Sequence, residues 1–217
     1  IVILGAGFGG IACARELLKK LPRGFHVTLV DKHSFHVFTP AIYEVATAYL
    51  DREPLSRFDF QELIEGVTFP ISEIFPELAK KDGNIHFAKK EVKDVFIADR
   101  KILCADGTTL FFDYLVFALG SETNYFGIPG LKEKSSVLKT AYDAANIRNT
   151  LCEVFARKQP NQRISIVIGG GGFTGCEFAA ELAHDIDKLA VQHPHWRDRI
   201  DIIIVEASDR LLPGAKP

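Results

Sequence analysis

The sequence predicts an α/β chain of two similar strand–turn–helix folds with an antiparallel β-meander set into the first, and three observations predict it. An apolar β-branched run, a glycine-rich turn and an apolar-periodic helix occur in that order over residues 1–21 and again over residues 164–182. In each copy a second apolar strand follows and closes on an acid, Asp31 in the first and Glu206 in the second. Between the copies, from Ile85, the hydrophobic period shortens from about 3.6 to about 2 residues.

The bulk composition narrows the function. A chain of 217 residues with 47% hydrophobic content can build one large or two small cores. Its net charge of -2 makes no electrostatic case for nucleic acid or an anionic membrane surface. Cys13, Cys104, Cys152 and Cys176 are widely spaced, so neither a metal-binding pattern nor a disulfide framework is expected, and the four read as reduced structural thiols. No apolar run reaches the ~18 residues of a membrane-spanning helix. The chain opens inside a strand, contains no Met and stops soon after Glu206, the outline of a fragment.

Gly5-Ala6-Gly7-Phe8-Gly9-Gly10 and Gly170-x-Gly172-Phe173-x-Gly175 fit the dinucleotide fingerprint of a Rossmann-like fold. One glycine makes the tight turn, one admits a pyrophosphate to the backbone and one allows close helix–strand packing. The following helix start offers unpaired N–H groups to phosphates. One such motif is a weak signal. Two, each between a strand and a helix and each followed by an acid, imply two bound dinucleotides.

In chain order, Ile11, Ala14, Leu17, Leu18 and Leu21 share a helical face that Pro22 and Gly24 terminate. Asp31 is placed to accept from both hydroxyls of an adenosine ribose. Lys32 and His36 are hydrogen-bond donors close to the first phosphate site. Beyond Pro40, residues 42–46 suggest a short helix. Residues 51–83 suggest two short helices, interrupted by Pro70 and Pro76. Four short strands over about 85–112 read as the meander. Residues 114–120 form a buried strand, and the Gly/Pro-containing stretch 121–130 marks a crossover, giving domains of 1–124 and 125–217. Thr140 can cap a helix to Arg157 whose buried face is Ala144, Ile147, Leu151 and Phe155. A second-fold helix running to about Ala190, then a loop over 192–198, brings in Glu206. His193 and His195 lie in that loop without partner ligands, so no metal is expected. Glu177, read as a first-turn residue, gains roughly 0.3–1 kcal/mol from the helix dipole in its ionised form. A carboxylate at 206 accepts from free ribose hydroxyls and repels a 2′-phosphate, which favours NADH over NADPH; Arg210 nearby is placed to soften that preference.

Asp31-Lys32-x-x-Phe35-His36-x-Phe38-x-Pro40-x-x-Tyr43-x-Val45-Ala46-Thr47 and Gly172-Phe173-Thr174-Gly175-x-Glu177 resemble the type II NADH:quinone oxidoreductases, single-subunit flavoproteins with two dinucleotide-binding domains. The resemblance spans nearly the whole chain. It implies FAD on the first fold, contacted by Asp31, Lys32 and His36, with Val92 at the adenine and Ala118-Leu119-Gly120 standing for the family's Ala-Thr-Gly. The leucine departs from that pattern and leaves no side-chain role there. It implies NADH on the second fold, with Glu177 beside the nicotinamide, positioning it for hydride transfer to the flavin. It further implies a membrane quinone as acceptor, a membrane surface reached through a region beyond residue 217, and a second copy of the chain as partner. In a bacterium the place implied is peripheral, on the cytoplasmic face of the inner membrane. Residues 1–217 alone are expected to hold FAD poorly and not to turn over.

Three rivals are weighed. A flavin-dependent disulfide reductase needs a redox cysteine pair, and residues 32–60 contain no cysteine. A sulfide:quinone oxidoreductase also uses cysteines. A flavin- and NADH-binding signalling protein would turn over slowly.

Overall fold

In the computed structural model, which describes residues 1–22, 24–50, 57–80, 83–157, 162–192 and 198–215, strand β1 (Val2–Leu4) is buried at all three positions. That is the mark of a central parallel strand covered on both faces. Helix α1 (Phe8–Lys20) follows, ending in Lys19 and Lys20, cations suited to the negative end of a helix. Next come β2 (Val27–Asp31), β3 (Phe35–Val37), α2 (Ile42–Thr47), α3 (Arg57–Glu65), β4 (Thr68–Pro70) and the one-turn α4 (Ile71–Ile74). The strands β5 (Ile85–Lys89), β6 (Val92–Phe96), β7 (Lys101–Cys104), β8 (Thr109–Phe111) and β9 (Leu115–Phe117) succeed them. The remainder is α5 (Leu131–Lys134), α6 (Ala141–Arg157), β10 (Ile164–Gly169), α7 (Phe173–Gln192) and β11 (Ile200–Val205).

Contacts divide the chain into two units, Ile1–Val37 with Thr68–Asn124, and Phe38–Val67 with Tyr125–Pro217. In the first, a parallel sheet runs in the order β5-β2-β1-β9. Its two faces are read directly from β1. Ile3 points into a core with Ala14, Val27, Leu29, Ile71 and Phe75, packed against α1 and α4. Val2 and Leu4 point the other way, with Val30, onto Ile102 of the antiparallel β6-β7-β8 meander. The meander thus covers the face that a helix layer would cover in an uninterrupted fold.

Two expectations are corrected here. Residues 85–89 are not the first meander strand: β5 pairs parallel with β2, from Val27↔Ile85 to Asp31↔Lys89. A period of two reports a strand, not its partner. Residues 68–79 are helical only in short pieces, the single α-turn Ile71–Ile74 and a 3-10 turn, and not from Phe69. Phe69 and Pro70 lie in β4, antiparallel to β3, and after α4 a 3-10 turn begins at Pro76.

In the second unit β10 and β11 pair parallel, Ile164↔Ile200 to Gly169↔Val205, around α7. Phe178, Leu182 and Ile186, spaced by one helical turn, form the buried stripe of α7 together with Ala179. Thr140 caps α6 as expected. Its Oγ1 accepts from Asp143 N–H at 3.1 Å while the Thr140 amide donates to Asp143 Oδ2 at 2.8 Å, a reciprocal capping box. Residues 42–47, expected in the first domain, belong to this unit. The short helix there is as expected, but Ile42, Val45, Ala46 and Thr47 bury themselves in α2's packing on α6 and α7. Arg148 of α6 pins that arrangement. It is fully buried, and its Nε and Nη2 donate to the carbonyls of Ala48 and Tyr49 at 2.9 and 2.8 Å.

Candidate functional site

Each glycine loop is built the same way, bond for bond. The first-strand continuation carries a glycine of positive φ, Gly5 at 101° and Gly170 at 106°, a backbone state that L side chains avoid. Gly5 N–H donates to Val30 carbonyl and Gly170 N–H to Val205 carbonyl, both at 2.8 Å. The third glycine seats the helix on the turn. A Cβ on Gly10 would lie 1.8 Å from the Gly5 carbonyl oxygen, and one on Gly175 would lie 2.0 Å from that of Gly170. The middle glycine is different, for a Cβ on Gly7 or Gly172 meets nothing within 4 Å. That open side is where a pyrophosphate can approach the backbone.

The helices then start with their donors available. α1 begins at Phe8 behind Gly7, which supplies no side-chain cap, and the first turns of α1 and α7 contain no acid. Phe8 and Phe173 take the same place in the two loops and both stand exposed. Gly9 lies near Ala118, whose carbonyl oxygen would sit 2.2 Å from a Cβ on Gly5. Ala118 N–H donates to Leu4 carbonyl at 2.8 Å, and Gly120 turns away at φ 77°. The 118–120 segment therefore backs the first loop.

Both acids anchor their own loops. Asp31 Oδ2 accepts from Ala6 N–H at 2.7 Å and Oδ1 from His33 N–H at 2.8 Å. Glu206 Oε2 accepts from Gly171 N–H at 2.6 Å and Oε1 from Ser208 N–H at 2.9 Å. The Ser208 and Gly171 amides hold the Glu206 carboxyl below the usual glutamate range. Each carboxylate keeps lone pairs for a ribose hydroxyl, having spent one per oxygen on backbone. Arg210 turns away from this acid, donating to Pro213 carbonyl at 3.0 Å.

The other expected residues divide by position. His36 is buried beneath the first loop, its Nδ1 donating to Ala6 carbonyl at 3.1 Å and its ring edge-on to Phe8 at 4.6 Å. It braces the loop that would hold the phosphates. Lys32 is exposed beside Asp31, and Val92 is half-buried where β6 begins, next to the register shift against β7. Glu177 requires a correction. It is the fifth residue of α7 and lies past the first turn, which contains no acid, so the helix dipole contributes little there. It is exposed, and its charge helps push the Tyr43 phenol of α2 up, after burial and Glu44. His193 and His195 lie outside the described residues. Among the described residues no group of His, Cys, Asp and Glu could hold a metal.

Arg148 was not among the expected residues, although its signal was present. It stands four residues after Ala144 and three before Leu151, squarely on the apolar face of α6.

A family model described as pyridine nucleotide-disulphide oxidoreductase matches residues 1–217. The chain is 31% identical over 229 residues to the external NADH-ubiquinone oxidoreductase 2, mitochondrial, of Saccharomyces cerevisiae, covering 98% of this chain and 38% of that protein. It is 26% identical over 219 residues to the type II NADH:quinone oxidoreductase of Staphylococcus saprophyticus, covering 98% and 50%. Among solved structures, NDH2 from Plasmodium falciparum in complex with NADH superimposes with a TM-score of 0.77 at 27% identity, over 99% of this chain and 43% of that one. The sulfide:quinone oxidoreductase of Aquifex aeolicus, at 24% identity and a TM-score of 0.71, shares the fold. The chain spans half or less of the length of the two curated relatives and of NDH2.

Proposed function

The chain belongs to the pyridine nucleotide-disulphide oxidoreductase family, and from that membership we propose that it is the nucleotide-binding portion of an FAD-dependent NADH:quinone oxidoreductase of type II. The observation that carries the proposal is the duplicated loop: two open glycine cradles, each behind a positive-φ glycine and each tied to its own acid. The open positions at Gly7 and Gly172 fit a pyrophosphate at each loop.

Residues 5–10, with Asp31, hold FAD, supported by His36 and by the 118–120 segment; Lys32 and Val92 complete the adenosine end. Gly170, Gly172, Phe173 and Gly175, with Glu206, hold NADH. Held on the first loop, FAD would supply the two-electron chemistry that links NADH oxidation to quinone reduction. The chain's own groups bind and orient. Glu206 accepts from ribose hydroxyls and repels a 2′-phosphate. Glu177 accepts from the nicotinamide carboxamide and offsets the charge of the oxidised ring. Quinone is a membrane substrate, so the enzyme works peripherally at a membrane surface, on the cytoplasmic face of the inner membrane in a bacterium. No helix among the described residues is long and apolar enough to cross a membrane.

The test uses the full-length protein in detergent, following NADH oxidation by a soluble quinone with NADPH and sulfide as alternative donors. Fast NADH-to-quinone turnover is expected. Glu177→Gln should lower kcat by about 100-fold, the order of loss for a misplaced reacting group, with flavin content unchanged. Flavin reduction by sulfide and not by NADH would overturn the assignment in favour of a sulfide:quinone oxidoreductase.

A further inference from the structure

We propose that Gly171 is a specificity-determining position of the second loop, the residue whose missing side chain lets a glutamate rather than an aspartate hold that loop. The inference rests on reading this loop as the NADH site. The two loops share one register: Leu4 pairs with Val30 as Gly169 pairs with Val205, so Ala6 matches Gly171 and Asp31 matches Glu206. Both acids reach the matched amide, Asp31 at 2.7 Å and Glu206 at 2.6 Å. Glutamate covers the same span with one methylene more, and the surplus lies over residue 171. A Cβ on Gly171 would meet Glu206 Cβ at 3.1 Å and Cγ at 3.2 Å. Under the shorter acid, Ala6 carries its own Cβ while only 3% exposed.

A third contact is shorter still. The same Cβ would lie 2.7 Å from Leu211 Cδ2. That methyl ends a flexible side chain that is 51% exposed, so it can swing aside. The Glu206 stem cannot: strand β11 leads into it on one side, and the Gly171 and Ser208 amides hold its carboxylate on the other. An alanine at 171 therefore displaces the carboxylate from the loop and from the ribose it serves. Residues 6 and 171 decide which acid each loop takes.

The probe is NAD⁺, titrated calorimetrically into the full-length protein with its flavin oxidised, so that no hydride moves. Gly171→Ala should weaken NAD⁺ binding about tenfold, the scale of a modest overpacking cost. Adding Glu206→Asp to it should restore at least half of that loss on a logarithmic scale, while adding Leu211→Ala should restore none. Flavin absorbance should match the unaltered protein throughout. Wild-type binding by Gly171→Ala, or rescue by Leu211→Ala and not by Glu206→Asp, overturns the inference. A flavin-replete wild type that ignores NAD⁺ overturns the NADH assignment itself, and the inference with it. The first loop supplies a mirror experiment if the 171 variants fail to fold. Asp31→Glu should lower FAD retention and Ala6→Gly added to it should raise retention again; no recovery overturns the pairing.

Discussion

Asp106 stands at the turn between β7 and β8, where Lys90 Nζ and the Thr108 amide donate to its carboxylate. The Lys90 ammonium first, then Thr108, lower its carboxyl to about 2 from an ordinary 3.8. The folded value lies below the unfolded one, so the stabilisation is fully present above pH 3.8 and is lost as pH falls toward 2. The pair is exposed, which keeps the effect modest. Asp106→Asn should remove that part of the acid-induced loss of stability, which denaturant titrations of both proteins across this range would measure. Glu206 shifts in the same direction, through the Ser208 and Gly171 amides. NAD⁺ affinity should therefore hold steady from neutral pH to below 4.5 and fall only as this carboxylate takes a proton.

At the scale of elements, the buried Arg148 matters more than any surface pair. Its fork satisfies the Ala48 and Tyr49 carbonyls where α2 ends, and Tyr49 holds φ at 51°, an uncommon state for a non-glycine residue. Arg148→Met keeps volume but takes the guanidinium donors from these part-buried carbonyls, leaving Tyr49 the weak Cys152 thiol at 3.9 Å, at about 1–3 kcal/mol each. We expect loss of several kcal/mol from the unit containing α6. Arg148→Lys should not rescue it, because one ammonium does not reproduce a planar two-carbonyl fork. Thr140→Ala, which opens the capping box, should cost about 1 kcal/mol. Equilibrium unfolding of the three variants orders these effects, and a near-neutral Arg148→Met would show the fork to be dispensable. The helices α1, α6 and α7 were legible because their apolar stripes are long. β4 was not, since a three-residue strand is too short to show a period and Pro70 ends it.

At the scale of the molecule, selectivity between nicotinamide cofactors is the property the second loop should set. Glu206→Gln removes the charge that repels a 2′-phosphate, and Arg210 is already committed to Pro213 carbonyl. The NADPH to NADH ratio of kcat/KM should then rise by about tenfold, the equivalent of about 1.4 kcal/mol, through better use of NADPH. An unchanged ratio would place the discrimination elsewhere in the protein.

The sequence by itself determined the two loops. Their glycines, strands and closing acids are local features, and the constraints that select them, positive φ, close helix approach and open access for phosphate, act over a few consecutive residues. Only the tertiary structure decided three further things: that residues 85–89 join the parallel sheet, that residues 42–47 pack with α6 and α7, and that His36 lies buried under the first loop. Each depends on partners 30 or more residues away in sequence, and the free energy that settles them comes from burying surfaces against those partners, which no local pattern encodes.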